Sequence, residues 1–231
     1  MTDCVPAIIE EDPRAMLYHA RDSALDKIAD TPETATEKNT HKQSNSTMTT
    51  AQDYVALLQS KNIKVCVFDM DLTVVAAHSQ GQLFRSDLES YLLKATPDFL
   101  LLCSTLQEAG IGLATATHSD AAEYGGIVQP ETHILGTELA QALVDYHFSK
   151  ENDFFLVAYN PRVRKVTDSR DLIKRHHMRQ ILQHFTVQPE EVIFFDDIEG
   201  TVRDCCDYCR VRAIQVDETV GFQFKDLIDN L

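Results

Sequence analysis

Four apolar residues, Val65 to Phe68, run directly into Asp69 and Asp71 in the stretch KVCVFDMDLT, and Thr73 follows two positions later. An uninterrupted apolar run of this length reads as a buried strand. Carboxylates beside a buried strand are costly unless they are paired, hydrogen-bonded or bound to a metal. The run therefore constrains the fold and marks one strand end as a candidate site.

The rest of the chain supplies the context for that strand. Thr50 is placed to cap a helix whose apolar stripe is Tyr54, Leu57 and Leu58, and a strand over Ile63 to Phe68 follows. Thr96 and Pro97 sit like an N-cap and first helical residue, Phe99 to Ala109 carries the helix, and Gly110 closes it before a short strand over Ile111 to Ala114. Asp153 to Tyr159 reads as a further strand. Met178, Ile181, Leu182 and Phe185 have helical spacing, Val192 to Phe195 is strand-like, and a helical stretch leads to a last strand over Val211 to Val216. Apolar strands alternating with amphipathic helices predict a three-layer, Rossmann-like α/β fold with a mainly parallel sheet covered on both faces. Ligands in such sheets bind outside the carboxyl ends of the strands.

A chain of 231 residues, 44% of them hydrophobic, supports one catalytic-sized domain. Residues 31–50 contain only Ala35 and Met48 as clearly apolar residues and seven threonines, too little apolar surface to offset ordering. With a short helix expected within Asp12 to Asp30, residues 1–50 are read as a largely disordered accessory tail and residues 51–231 as the folded domain. A formal charge of −15, from 21 basic and 36 acidic residues, argues against a nucleic-acid partner. No segment has signal-peptide form or the length of a membrane span, so no membrane association is expected. Six scattered cysteines fit a reducing, cytoplasmic setting.

The residues just past each predicted strand can now be collected: Asp69, Asp71 and Thr73; Thr115 and Thr117; Asp196 and Asp197. Four carboxylates on one sheet edge repel each other unless a hard divalent cation lies among them, and an all-oxygen ligand set favours Mg²⁺ over zinc. Lys174, at the start of the Met178 helix, is placed to balance the charge of a bound phosphate. Arg164, Lys165 and Arg175 compete with it, and its distance in sequence from Asp196 favours Lys174. The parts are those of metal-assisted phosphoryl transfer. The C-x-x-C within CCDYC (Cys205 to Cys209) has no second pair to complete a zinc set and reads as a packed or half-exposed helix. His176, His177 and His184 read as surface or supporting residues.

In this order, DMDLT (Asp69 to Thr73), IGLATAT (Ile111 to Thr117), Lys174 and PEEVIFFDD (Pro189 to Asp197) resemble the four motifs of the haloacid dehalogenase (HAD) superfamily phosphatases. The run KRHHMRQIL followed by FFDD is especially similar to the small capless magnesium-dependent members. The resemblance implies that Asp69 is a nucleophile forming an aspartyl-phosphate and that Asp71 is the acid and base. It further implies that Thr115, with Thr117 as the alternative, binds the phosphoryl oxygens and that Lys174 neutralises charge. Asp69, Asp196, Asp197 and the backbone carbonyl of Asp71 would hold Mg²⁺, and Thr73 would steady the loop by hydrogen bonding. Thr73 to Thr115 leaves room for a flap but not for a large cap domain, so a HAD-like fold without a large cap is expected. An open site would accept a phosphorylated small molecule or a phosphoprotein. A catalytically silent binding or regulatory protein on the same fold is the alternative, and the sequence does not give the oligomeric state.

Overall fold

The structure, a computed structural model, describes residues 50–117, 131–148, 153–158 and 174–231. The expected tail before Thr50, the Asp12 to Asp30 helix, Tyr159, Arg164 and Lys165 lie outside the described residues. The first helix, α1 (Ala51–Ser60), starts where expected: Thr50 and Asp53 form a reciprocal capping box, satisfying backbone N–H groups that the first turn leaves unpaired. It buries Tyr54, Val55 and Leu58.

Strand β1 (Val65–Phe68) is central. It pairs in parallel on one side with β3 (Gly112–Thr117) and on the other with β6 (Val192–Asp196). Beyond them lie β5 (Phe154–Ala158) and β7 (Arg212–Gln215), giving a five-stranded parallel sheet in the order β5-β3-β1-β6-β7. Alternation along β1 separates two cores. Cys66 and Phe68 face one that includes α1, α3 (Pro97–Glu108), α4 (Gly136–His147) and α7 (Phe224–Asn230). Val65 and Val67 face the other, where Met178 and Ile181 of α5 (Lys174–Phe185) pack with Cys205. Helices on both faces explain why β1 has no polar residue: either side of the strand is inside a core. The α/β, Rossmann-like three-layer arrangement expected from the alternation is the arrangement observed.

Three local readings differ. Thr96 occupies the N-cap position of α3, but its hydroxyl makes no capping bond. Strand β3 continues past Ala114 to Thr117, so Thr115 lies within the strand. After β6, the short helix α6 (Glu199–Asp204) passes into a π-helical turn over Cys205–Cys209, closed by Arg210 at φ +59°.

Between β1 and α3 the chain forms a small flap comprising β2 (Leu83–Phe84), a 3₁₀ turn (Arg85–Asp87) and α2 (Leu88–Leu92). Strand β2 pairs antiparallel with β4 (His133–Ile134). The base of the flap is closed by the Val75–Ala95 bridge and by hydrogen bonds from Ala76 N–H to Lys94 O (2.9 Å) and Thr96 N–H to Val74 O (2.8 Å). No large cap domain is present among the described residues. No helix among them is long and apolar enough to cross a membrane.

Candidate active site

Register places the site. Phe68 is aligned with Thr115 on one side and Phe195 on the other, so Asp69, the first residue past β1, stands beside Asp196, the last residue of β6. The Asp69 N–H donates to Phe195 O at 2.9 Å, which fixes the first residue of the loop to the neighbouring strand. The loop then turns tightly. Met70 O accepts the N–H groups of Thr73, Val74 and Val75 at 3.0 to 3.3 Å, and Leu72 adopts φ +58°.

Thr73 steadies this loop through its main chain: its carbonyl accepts the Phe222 N–H at 2.7 Å, whereas its buried hydroxyl has no hydrogen-bond partner among the described residues. The hydrogen bonding expected of Thr73 is thus made by its backbone. Gly221 makes this approach possible. It has φ +70°, and a Cβ there would lie 2.6 Å from Thr73 O.

Lys174 is the first residue of α5 and is buried. Its Nζ donates to Asp69 Oδ1 and to Ala116 O, and lies 3.6 Å from Asp196 Oδ2. Burial pulls the ammonium pKa down, but attraction to Asp69 and Asp196 outweighs it and the pKa stands above the ordinary lysine value. Arg175 is committed elsewhere: it pairs with Asp204 at 2.5 Å and stacks 3.6 Å from the Tyr208 ring centroid. The structure thus brings Lys174, not Arg175, to the carboxylates.

Asp69, Asp196 and Asp197 each present a carboxylate oxygen, all within 4.8 Å of one another. Burial pushes Asp69 upward against the opposing effect of Lys174. Burial likewise raises Asp196 to about 8 and Asp197 to about 6, with the neighbouring Asp69 charge adding to both. Asp196 Oδ1 accepts the Ile198 N–H at 2.9 Å, while Oδ2 is buried without a hydrogen-bond partner among the described residues. Three carboxylates against one ammonium leave an excess of negative charge in a buried space, which fits a divalent cation held by oxygen.

The side chain of Asp71 is placed differently. Its Oδ2 accepts the Ser79 N–H at 3.0 Å and the Ser79 hydroxyl at 2.6 Å, and its Oδ1 accepts the Tyr91 hydroxyl at 2.5 Å. His78 Nδ1 lies 3.1 Å from Oδ2. Burial raises the Asp71 pKa, but these bonds from His78, Ser79 and Tyr91 outweigh it and hold the carboxyl below its ordinary value. Its carboxylate thus stands outside the three-carboxylate cluster and against the flap.

Thr115 is fully buried and its hydroxyl has no partner among the described residues. Thr117 ends β3, and its carbonyl lies 3.0 Å from His177 Nε2.

His177 and His176 are buried, so of the two readings, surface or supporting, the surface one does not hold for them: the face of α5 that meets the sheet is Lys174, His177, Met178 and Ile181, the Met178 stripe extended back by one turn. His184 stacks on Phe155 at a centroid distance of 3.8 Å. Neither Tyr91 nor Ser79 nor Gly221 announced itself in the sequence, because each acts through a fold contact distant from any motif. In the Cys205–Cys209 turn Cys205 is buried and Cys206 exposed, and the Asp69, Asp196 and Asp197 group is the one metal-capable cluster among the described residues.

No protein family model matches the chain, and no curated protein matches it. Similar solved structures include the cobalt-bound deoxy-D-mannose-octulosonate 8-phosphate phosphatase of Haemophilus influenzae, at 14% identity and TM-score 0.35, covering 62% of this chain and 63% of that one. The N-terminal part of a Bacteroides fragilis protein containing a phosphatase domain, complexed with Mg, matches at 13% identity and TM-score 0.43, over 77% of this chain and 42% of that one. The HAD domain of the effector protein Lem4 of Legionella pneumophila matches at 13% identity and TM-score 0.38, over 73% and 95%. At these levels the likeness carries no argument about chemistry, which rests on the residues above.

Proposed function

We propose that this chain is a Mg²⁺-dependent phosphatase that hydrolyses a phosphomonoester through an aspartyl-phosphate on Asp69. The observation that carries the reading is the meeting of Asp69, Asp196 and Asp197 within 4.8 Å, with Lys174 buried against Asp69 and Asp196, at the carboxyl edge of a parallel sheet. Asp69, Asp196 and Asp197 would hold the cation, with the Asp71 carbonyl as the further ligand that the family resemblance implies. Bound there, it supplies charge neutralisation for the carboxylates and for the phosphoryl oxygens.

The protein's own groups divide the remaining work. A carboxylate oxygen of Asp69 attacks phosphorus and Asp71 donates a proton to the departing oxygen; Asp71 then takes a proton from the water that releases phosphate. The Thr115 hydroxyl, buried without a hydrogen-bond partner among the described residues, is the donor assigned to a phosphoryl oxygen. Lys174 holds Asp69 in place and offsets charge that develops on the phosphoryl group. The small flap favours an exposed phosphate, on a phosphoprotein or a small molecule, over one enclosed by a lid domain.

One observation favours a second reading, a catalytically silent phosphate-binding protein: the bonds to Asp71 stabilise its ionised form, whereas an acid must hold a proton. Hydrolysis of an aryl phosphate with and without Mg²⁺ separates the two. Asp69→Asn should lower a Mg²⁺-dependent rate by about a thousandfold or more. Wild type and Asp69→Asn equally inert across a broad phosphate panel would leave the silent reading.

A further inference from the structure

The flap meets Asp71 through the Tyr91 hydroxyl, which donates to the Asp71 carboxylate. A carboxylate has about four lone-pair positions, two on each oxygen. The Ser79 N–H and hydroxyl occupy those of Oδ2, at 3.0 and 2.6 Å. His78 Nδ1 lies 3.1 Å from that same oxygen and accepts the Gln80 N–H at 2.8 Å, so the ring stands on the Oδ2 side of the carboxylate. Oδ1 has one partner among the described residues, the Tyr91 hydroxyl. One lone-pair position therefore remains, and it is on Oδ1.

Resting on the phosphatase reading, we propose that Oδ1 is the oxygen of Asp71 that carries the transferring proton, and that Tyr91 is the positioning residue that aims it. In the first step an Asp69 oxygen bonds to phosphorus, the bond from phosphorus to the ester oxygen breaks, and the proton on Asp71 Oδ1 passes to that oxygen to release an alcohol. In the second, Asp71 Oδ1 takes a proton from water as the water oxygen bonds to phosphorus and the Asp69 oxygen leaves. Atoms and charge balance in both steps, and Tyr91 keeps its own proton throughout. Its ring is buried on α2, so the hydroxyl is held by packing rather than by solvent. The flap thereby acts as a brace for the acid, and its closed base gives that brace a fixed origin.

The test is Tyr91→Phe, which removes the hydroxyl and keeps the ring, read on two substrates. An alkyl phosphate needs its leaving oxygen protonated; p-nitrophenyl phosphate needs this far less, and kcat/KM reports the first step for each. The variant should lose about tenfold or more in kcat/KM on the alkyl ester and less than about threefold on the aryl ester, with KM little changed. In an Asp71→Asn background the same substitution should have no further effect, and an unchanged melting temperature reports intact packing. Equal losses on both esters, no loss on either, or full additivity with Asp71→Asn would overturn the assignment while leaving the phosphatase reading in place. A wild-type protein inert on both esters would overturn that reading, and this assignment with it.

Discussion

Asp69 shows how much of a residue's chemistry is set by its neighbours. Alone, burial would drive this carboxyl toward its neutral form; Lys174 opposes that, so the group that the proposed reaction needs as a carboxylate is kept near one cation. The aim of that carboxylate depends on a glycine that touches no reacting group. Gly221 passes so close to the loop after β1 that a Cβ would meet Thr73 O at 2.6 Å and Thr96 Cγ2 at 2.7 Å, with a backbone φ of +70° that L side chains rarely adopt. Gly221→Ala should therefore cost about 1–3 kcal/mol of stability from the conformation alone, with the backbone clash added. The loop must then shift, so Mg²⁺-dependent hydrolysis should fall further than the loss of folded protein accounts for. Thermal melting and kcat measured on the same preparation check this; wild-type values for both would show that the close approach is dispensable.

At the scale of elements, α5 has two tasks, presenting Lys174 at its first residue and covering β3 and β5 with the rest. Its far end is fitted to the sheet. A Cβ on Gly112 would lie 2.5 Å from the Phe185 ring, so the ring packs where any side chain at position 112 would stand. Gly112→Ala should push the carboxyl end of α5 outward and cost about 1–3 kcal/mol, the range of an overpacked core. The double variant with Phe185→Leu should recover part of that loss; no recovery would locate the strain elsewhere. Elements of this kind were legible in the sequence. The run from Val65 to Phe68 and the Met178 stripe follow from local periodicity, and the structure has Asp69 just past β1, Asp196 at the end of β6 and Lys174 at the start of α5, with Thr115 inside β3. The flap was not legible beyond its approximate length. Its strand β2 is two residues long and finds its partner, His133–Ile134, far along the chain, so no periodicity marks it. The bond on Asp71 was hidden for the same reason: nothing in the sequence singles out Tyr91, and only the fold sets its hydroxyl against the carboxylate. The charged helix left His176 and His177 open between a surface and a supporting place, although the stripe, extended by one turn, runs through position 177 and both are buried.

For the whole molecule, a formal charge of −15 already disfavours the compact state through self-repulsion, and the site concentrates that cost at one sheet edge. Three carboxylates face a single ammonium, and burial raises Asp196 to about 8 and Asp197 to about 6 from an ordinary value of 3.8. A carboxyl raised on folding binds its proton more tightly in the folded state. The folded protein therefore holds more protons than the unfolded chain between the two values, and stability falls as pH rises through that interval. For Asp197 the loss is complete near pH 6, and for Asp196 near pH 8. A divalent cation that binds the ionised carboxylates reverses the balance, because at high pH it has no protons to displace and at low pH it must release them. Melting temperatures taken with Mg²⁺ and with EDTA at the same pH cancel every other titration in the chain. At a Mg²⁺ concentration about a hundredfold above its dissociation constant at pH 8, the difference should reach about 5 °C or more, and it should shrink toward zero at pH 5. Asp196→Asn should abolish most of the shift at pH 8 while raising the melting temperature in EDTA, since it removes a charge that the cation would otherwise neutralise. A shift of equal size at both pH values, or one retained by Asp196→Asn, would mean that Mg²⁺ stabilises the protein somewhere other than at these three carboxylates.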